Sequence, residues 1–147
     1  TSQRVLASLL TWMAEKKSSV FVIATANAID KLPPELLRKG RFDEIFFLDL
    51  PKSEERFTIL DLHLKKRRPN YNFHLSTIVD RTNGYSGAEL EQAVIEAMHY
   101  SFSEKREITE RDLIKAVSEL VPLSRTAKEQ IDLLKQWSST GRARLAS

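Results

Sequence analysis

The sequence predicts an α/β segment followed by a bundle of helices. Residues 20–24 and 44–50 are short runs rich in apolar and β-branched side chains, a pattern typical of buried strands. After Pro51, apolar residues recur only at helical spacing, and several helix starts carry a capping residue. We therefore predict that residues 1–51 are part of an α/β domain, and that residues 52–147 form a helical domain with a C-terminal helix.

Composition narrows the classes of protein that fit. The chain has 147 residues, 41% hydrophobic and 29% charged, which is ordinary for a soluble globular protein. No apolar run approaches the roughly 20 residues that span a bilayer, so no membrane span is expected. The sequence contains no cysteine, which excludes a disulfide framework and is typical of an intracellular protein. The net charge is only +3.

The one dense basic run lies at residues 65–68. No aromatic residues alternate with these cations, as a stacking platform for single-stranded nucleic acid would require. Basic runs are also favourable at helix C-termini, where they complement the helix dipole. We therefore favour a solvated helix end here, and nucleic acid is not an expected partner.

The α/β segment is predicted to begin with an amphipathic helix, residues 1–15, and to continue with the strand at residues 20–24. Pro33 and Pro34 then favour a short helix opened by proline. A strand that is apolar at every position needs neighbours on both edges, and two strands are too few for an independent sheet. The other strands are therefore expected outside this sequence, and Thr1 is interpreted as an internal position of a longer protein.

The helical segment contains one short predicted helix, residues 75–81, and four longer ones. On the first of the longer helices, Phe57, Leu60 and Leu64 share an apolar side. The expected starts of the four longer helices are Ser53, Ser86 with Glu89, Thr109, and Thr126 with Glu129.

Three polar residues of the α/β segment are candidates for chemistry. Asn27 follows the first strand, at the sheet edge where parallel α/β proteins bind ligands. Arg38 and Arg41 lie three positions apart with Gly40 between them, so both guanidinium groups could face one anion, which arginine binds bidentately. Taken singly, each has an ordinary alternative, a turn residue for Asn27 and solvated side chains for the arginines.

Several motifs together resemble the AAA family of ATPases. The runs TAN (25–27), LPPELLRKGRFD (32–43) and LP (50–51) are similar to the family's second region of homology. ILDLH (59–63) resembles the lid helix whose histidine lies by the adenine, and GYSGAEL (84–90) resembles the turn GxSGADL, with Glu89 where the family often has Asp. The resemblance covers nearly the whole chain. The LPPELLRKGRFDEIFF segment and the tail are most similar to the hypothetical AAA ATPases of cyanobacteria and algal chloroplast genomes.

The resemblance implies a fold and roles for the first domain. The chain would be the C-terminal part of an AAA+ P-loop α/β domain, with two strands, plus a helical lid bundle. Asn27 would be sensor 1, which orients the attacking water and the γ-phosphate. Arg38 and Arg41 would be arginine fingers that reach the nucleotide of the adjacent subunit, with Phe42 buried beneath them.

The resemblance also implies a nucleotide site on the lid. His63, Gly87 and Ala88 would line the adenine and ribose side of bound ATP. The sequence has no GxxxxGK[ST] loop and no apolar strand ending in Asp-Glu, so ATP and Mg²⁺ would be held mainly by residues outside it. This chain alone is therefore not expected to hydrolyse ATP, and no metal site is expected within it.

The parent protein is accordingly expected to be a homo-oligomeric ring ATPase, a hexamer, that remodels an unidentified macromolecule in the cytoplasm or the plastid stroma. Two alternatives stay open. The chain could be a non-catalytic helical interaction module that binds no nucleotide in isolation, or its basic run could bind nucleic acid with steep salt dependence.

Overall fold

The computed structural model describes residues 2–38 and 40–146, so Thr1 and the motif position Lys39 lie outside the described residues. The elements in chain order are helix α1 (Ser2–Glu15), a 3₁₀ turn (Ile29–Lys31), strand β1 (Phe46–Phe47), helices α2 (Ser53–Arg67), α3 (Ser76–Arg81), α4 (Gly87–Ser103), α5 (Glu110–Glu119), α6 (Leu123–Thr126) and α7 (Lys128–Trp137), a π-helical turn (Ser138–Arg142) and strand β2 (Arg144–Leu145).

The chain divides into two compact units, one formed by Thr1–Leu48 with Asp132–Ser147 and the other by Asp49–Ile131. We call them the first unit and the helical unit. The predicted domain boundary between residues 51 and 52 stays a prediction. Among the described residues, no helix combines the length and the apolar character needed to cross a membrane.

The two strands of the first unit pair in parallel, with Phe46 opposite Arg144 and Phe47 opposite Leu145. The Arg144 N–H donates to the Ile45 carbonyl at 2.9 Å, and Arg144 also forms an ion pair with Glu44 at 3.3 Å. The strand predicted at residues 44–50 is therefore present over two residues. Its partner is the C-terminal segment, which the sequence pattern did not predict as a strand.

The strand predicted at residues 20–24 is wrong for this structure, because the segment has no strand hydrogen bonding. Phe21 is 89% exposed and Ile23 79% exposed. A parallel strand is stabilised by hydrogen bonds to neighbouring strands, and the described part of the chain offers none to this segment. Residues 20–24 thus lack, within the described residues, the neighbouring strands that a fully apolar strand requires.

The helix predicted after Pro33 is also wrong. The Leu36 N–H donates to the Pro33 carbonyl at 3.0 Å and the Leu37 N–H donates to the Pro34 carbonyl at 3.1 Å, so the segment forms successive tight turns. Leu36 is buried and anchors these turns. Since the residues that follow include Gly40 at φ +91°, a continuous helix cannot extend through them.

The core of the helical unit lies among α2, α3, α4 and α5. Helix α4 has a stripe of buried residues at helical spacing and packs against α2 and α5, while α3 packs against α2 and α5. The buried apolar side chains are Leu60, Leu64, Leu75, Ile78, Val79, Tyr85, Leu90, Ala93, Val94, Ala97, Ile108, Leu113, Ala116 and Val117.

The buried stripe of α2 differs from the predicted one. Leu60 and Leu64 are fully buried as expected, but Phe57 is 48% exposed. Arg56 takes the buried position one turn before Leu60, at 7% exposure. Its guanidinium donates to the carbonyls of Pro51 and Val79, at 3.0 and 3.2 Å, whereas its Nε has no hydrogen-bond partner among the described residues.

Two of the four predicted helix caps are confirmed. The Ser86 N–H donates to Glu89 Oε2 at 2.7 Å, and the Ser86 hydroxyl accepts the Glu89 N–H at 3.4 Å, which completes a capping box. Thr109 caps α5, with Asp112 accepting both its N–H and its hydroxyl proton, at 2.8 and 2.7 Å.

The other two predicted caps are wrong. Ser53 is the first helical residue of α2, and Lys52 takes the cap position because its N–H can donate to Glu55 Oε2 at 2.7 Å. Thr126 is the last residue of α6 and not the cap of α7. Pro122 caps α6, and the Thr126 N–H donates to the Pro122 carbonyl at 3.3 Å. This hydrogen bond includes Thr126 in the helical turn of α6.

Candidate functional site

The candidate sensor, Asn27, lies in a bend just before the 3₁₀ turn Ile29–Lys31, and its side chain is exposed. The preceding segment is not a strand, so Asn27 does not end a sheet strand in this structure. Asn27 is therefore available to a ligand, but no β-sheet edge fixes its position.

Arg38 and Arg41 share one tight turn. The Arg41 N–H donates to the Arg38 carbonyl at 3.4 Å, and both side chains are exposed. Gly40 adopts φ +91° between them, a conformation that residues with a Cβ rarely adopt. Arg41 Nη1 also lies 3.4 Å from the Leu10 carbonyl, a long and exposed hydrogen bond. Within the described part of the chain, neither guanidinium forms an ion pair, so both groups are open to an external anion.

Phe42, which the resemblance places beneath the arginines, is half-buried. It therefore anchors the turn less completely than a core residue would. Its neighbour Asp43 is exposed.

The lid candidates lie along the seam between α2 and α4. A Cβ built on Gly87, the first residue of α4, would lie 3.7 Å from Ile59 Cδ1, so the two helices approach closely there. One turn further along each helix, His63 Nδ1 lies 3.2 Å from Glu91 Oε1. Ala88 is exposed next to Gly87. Of the predicted lid residues, Gly87 and His63 thus lie along one seam of the helical unit.

His63 is held by two charged neighbours that the sequence analysis did not single out. Glu91 Oε1 accepts a hydrogen bond from Arg67 Nη2 at 2.8 Å, and Arg67 Nη1 lies 3.3 Å from both the His63 carbonyl and His63 Nδ1. The hydrogen bond from Arg67 lowers the pKa of Glu91 below its usual value, and its carboxylate is therefore ionised at neutral pH. The signal in the sequence was the helical spacing of His63 and Arg67, which puts both on one face of α2.

The basic run at the end of α2 is largely paired with carboxylates. Lys65 forms an ion pair with Asp61 at 2.8 Å, Arg67 with Glu91 at 2.8 Å, and Arg68 with Glu107 at 3.3 Å. The prediction of a helix end, with α2 ending at Arg67, is confirmed. Charge that is neutralised locally offers little to a phosphate backbone.

The start of α4 is tied to the segment that leads into α6. Glu89 accepts hydrogen bonds from Ser86 through Oε2 and from the Leu123 N–H through Oε1, the latter at 2.6 Å. The Tyr85 hydroxyl donates to the Val117 carbonyl at 2.8 Å, and burial raises the Tyr85 pKa. The residues on both sides of Gly87, Tyr85 and Glu89, are therefore hydrogen-bonded to the backbone of residues 117 and 123.

The surface of the seam combines apolar and polar groups. Gly87 contributes no side chain, Ile59 beside it is apolar and half-buried, and the His63 ring retains 17% exposure. Flat bases bind to such surfaces of apolar and aromatic groups with a few polar atoms. For a divalent metal the donor set does not fit: the described residues contain no group of three His, Asp or Glu side chains that could hold one.

Comparison with known proteins identifies the family. Residues 1–50 match the sequence profile of the "ATPase family associated with various cellular activities (AAA)", and residues 72–115 match that of the "AAA+ lid domain". The chain belongs to the AAA family. It carries the C-terminal part of an AAA domain followed by the AAA lid, as the motifs predicted.

Individual relatives agree with this assignment. The chain is 52% identical to the "Uncharacterized AAA domain-containing protein ycf46" of Pyropia yezoensis over 100% of its own length and 30% of that protein. It is 35% identical to the "Proteasome-activating nucleotidase" of Saccharolobus solfataricus, covering 80% of this chain and 31% of that protein. The chain thus spans about a third of the length of these relatives.

The fold is similar to a solved AAA structure. One similar structure is the AAA domain of FIGL-1 in a crystal structure with ADP. The match covers 76% of this chain and 41% of the FIGL-1 chain, with a TM-score of 0.66 and 24% sequence identity. At this identity the similarity establishes the fold: the end of an α/β domain followed by a helical lid.

Proposed function

We propose that this AAA chain is part of an ATP-hydrolysing ring ATPase and supplies sensor 1, the arginine fingers and the lid. The observation that carries the proposal is the exposed pair Arg38 and Arg41, presented on one turn around Gly40 within an AAA sequence. Two exposed guanidinium groups on a shared turn suit the spread negative charge of a phosphoryl group during transfer.

The arginines act on the nucleotide of the adjacent subunit. Arginine fingers stabilise the charge that spreads over the transferring phosphoryl oxygens, and they are worth about 10³ to 10⁵ in kcat. Because Arg38 and Arg41 serve a neighbour, assembly is a condition for turnover. A homo-oligomeric ring, a hexamer by the family resemblance, satisfies this condition.

Asn27 serves the nucleotide of its own subunit. Its exposed amide has a donor and an acceptor, which suits an attacking water and a γ-phosphate oxygen together. Gly87, Ala88 and His63 receive the adenine and ribose side along the α2–α4 seam. In this proposal Asn27 and the lid residues contact the nucleotide of their own subunit, whereas Arg38 and Arg41 contact the nucleotide of the neighbour.

ATP and Mg²⁺ are held mainly by residues outside this chain, and the Mg²⁺ would shield phosphate charge during transfer. We propose that the parent uses hydrolysis to remodel a macromolecule. The cytoplasm or the plastid stroma is the proposed compartment, supported by the resemblance to chloroplast-encoded AAA proteins.

Substitution in the full-length parent tests the roles. Arg38→Ala and Arg41→Ala should leave ATP binding nearly unchanged and reduce kcat by about 10³-fold or more. Asn27→Ala should also reduce turnover with binding retained. Arg81→Ala, which removes an exposed arginine at the end of α3, is the control and should behave as wild type.

Mixed rings distinguish the cis role from the trans role. Arg38→Ala subunits mixed with Asn27→Ala subunits should recover part of the turnover, because some sites then combine an intact Asn27 with an intact neighbouring arginine. Unchanged kcat in Arg38→Ala and Arg41→Ala rings would overturn the finger assignment.

A non-catalytic interaction module is the second candidate, favoured by the exposed apolar side chains of Phe21 and Ile23. This function requires a parent protein that binds a macromolecular partner and has no ATPase activity. Nucleotide titration and a turnover assay of the parent separate the two candidates.

A further inference from the structure

Residues 132–146 leave the helical unit and return to the first unit, where they contribute strand β2. The chain enters the helical unit between Leu48 and Asp49, and it leaves that unit between Ile131 and Asp132. The helical unit, which contains the lid, is therefore joined to the first unit at both of its ends. The pairing of β2 with β1 fixes the far end of the second connection.

The path from α7 into β2 is shaped by local interactions. The hydroxyls of Ser138, Ser139 and Thr140 donate to the carbonyls three positions earlier, at 2.8, 2.7 and 2.7 Å, at the end of α7. Gly141 then adopts φ +76°, a conformation that glycine adopts without strain. Ala143 follows with an extended backbone. The chain thus changes from helix to strand over a few residues.

Strand β2 docks on β1 through its backbone. The N–H groups of Arg144 and Ala146 donate to the carbonyls of Ile45 and Phe47, at 2.9 and 3.1 Å. Because successive N–H groups of a strand point to opposite edges, the Leu145 N–H between them faces away from β1. When a segment adds to the edge of a sheet in this way, its affinity comes from the main-chain hydrogen bonds.

An ion pair supports the register of the two strands. Arg144 Nη1 lies 3.3 Å from Glu44 Oε1, and Glu44 is two positions before Phe46, the residue opposite Arg144. Both charged side chains are largely exposed, so the pair contributes little to stability. A shift of the register by one residue would move the Arg144 side chain to the other face of the sheet, away from Glu44. The ion pair therefore favours the observed register.

We propose that residues 143–146 are a docking strand that fastens the second end of the helical unit to the sheet of the AAA domain and thereby strengthens ATP binding. The inference rests on the proposed contact of the lid with the nucleotide. A lid fastened at both ends has less conformational freedom to lose when it closes on ATP than a lid fastened at one end. Less of the binding free energy is then spent on ordering the lid, and the Kd for ATP is lower.

Cysteine cross-linking tests the docking in this chain, which contains no cysteine of its own. Phe47→Cys with Leu145→Cys places two thiols opposite each other on one face of the sheet, at a strand separation that a disulfide spans. Phe46→Cys with Leu145→Cys is the matched control, because these side chains point to opposite faces. We expect mild oxidation to link the first pair within single chains and to leave the control pair reduced.

Nucleotide titration of the full-length parent tests the effect on affinity. Ala146→Pro removes a docking N–H, and we expect it to raise the Kd for ATP about fivefold, comparable to the loss of one hydrogen bond. Leu145→Pro is the matched control, because it removes the N–H that faces away from β1, and its Kd should equal that of the wild type. Adding the oxidised pair Phe47→Cys and Leu145→Cys to Ala146→Pro should restore the wild-type Kd.

Several results would overturn the inference and leave the proposed function in place. They are equal cross-linking of the registered and control pairs, a disulfide that joins two copies of the chain, and equal Kd values for Ala146→Pro and Leu145→Pro while His63→Ala weakens ATP binding. If neither Ala146→Pro nor His63→Ala changes the Kd, the proposed contact of the lid with ATP fails, and the role of the docking strand in affinity fails with it.

Discussion

Glu89 accepts a hydrogen bond from the backbone N–H of Leu123 at 2.6 Å, across 34 positions of the sequence. The same carboxylate accepts from Ser86 at 2.7 Å through its other oxygen. One side chain thus closes the cap of α4 and fixes the start of α6. An aspartate, which AAA sequences often have here, is one methylene shorter and could not bridge both partners without a backbone shift.

The bridge leads to a first prediction. Glu89→Asp should retain the cap at Ser86, lose the bond to Leu123 and reduce the free energy of unfolding by about 1 kcal/mol. Urea unfolding followed by circular dichroism measures this. Glu54→Asp, at an exposed position in the first turn of α2, is the control for the intrinsic cost of the substitution. Equal losses in the two variants would mean that the Leu123 bond contributes nothing.

The second prediction concerns the buried Arg56. Arg56→Ala should reduce the free energy of unfolding by about 2–4 kcal/mol, because the Pro51 and Val79 carbonyls lose their donor and a cavity opens beneath α2. A methionine in Arg56→Met fills most of the volume of the arginine side chain. The smaller decrease in the free energy of unfolding of this variant therefore measures the loss of the two hydrogen bonds alone. Exposed Arg111→Ala should have little effect. Chemical denaturation of all three variants tests the assignment.

The third prediction concerns pH. Arg106 donates to both oxygens of Asp112 at 2.6 and 2.7 Å, which lowers the Asp112 pKa to about 2 from an ordinary value of 3.8. A folded-state pKa below the unfolded value stabilises the fold above pH 3.8, and this stabilisation is lost as pH falls through about 2. Asp112→Asn should therefore remove about 2 kcal/mol of stability at pH 7 and much less near pH 2.

Thermal unfolding between pH 2 and pH 7 measures this dependence. Asp80→Asn, an exposed carboxylate on α3, is the control and should keep the wild-type acid dependence. A difference between Asp112→Asn and wild type that stays constant across this range would contradict the linkage.

The fourth prediction concerns Gly84, which adopts φ +83° close to α6. A Cβ there would lie 2.5 Å from Ser124 Oγ and 3.2 Å from Ser124 Cβ. Gly84→Ala should destabilise the helical unit by more than the roughly 1 kcal/mol expected for the left-handed backbone alone. Adding Ser124→Gly removes the steric clash, so the double variant should recover that share of the lost stability and keep only the loss due to the left-handed backbone. A double-mutant cycle measured by urea unfolding tests this. If the effects of Gly84→Ala and Ser124→Gly are additive, the predicted clash between residues 84 and 124 is excluded.

Local signals predicted the helical unit well. Ser86 with Glu89 and Thr109 before α5 are capping sequences whose partners lie within three residues, so the sequence contains the whole interaction. Lys52 was missed because its neighbour Ser53 is the more usual capping residue, and Thr126 was wrongly predicted as a cap because it belongs to the end of α6. Arg56 was missed for another reason: its partners, Pro51 and Val79, are carbonyls, which leave no trace in side-chain patterns.

The first unit was less predictable because its structure depends on partners distant in sequence. The pairing of Phe46 with Arg144 joins positions almost a hundred residues apart, and nothing local marks residues 144–145 as a strand. The candidate residues of this unit came from motif spacing. The Glu91 contact with His63 was not predicted, since it depends on how α2 and α4 pack.

The segment at residues 20–24 has a practical consequence for anyone who handles this chain in solution. Five consecutive apolar residues outside any strand, two of them more than three-quarters exposed, form a template for self-association between copies. Lys16 and Lys17 flank it on one side and supply the repulsion that opposes such contacts. Solubility of the isolated chain should therefore fall as salt rises, since salt screens those two charges and leaves the apolar side chains in contact with water.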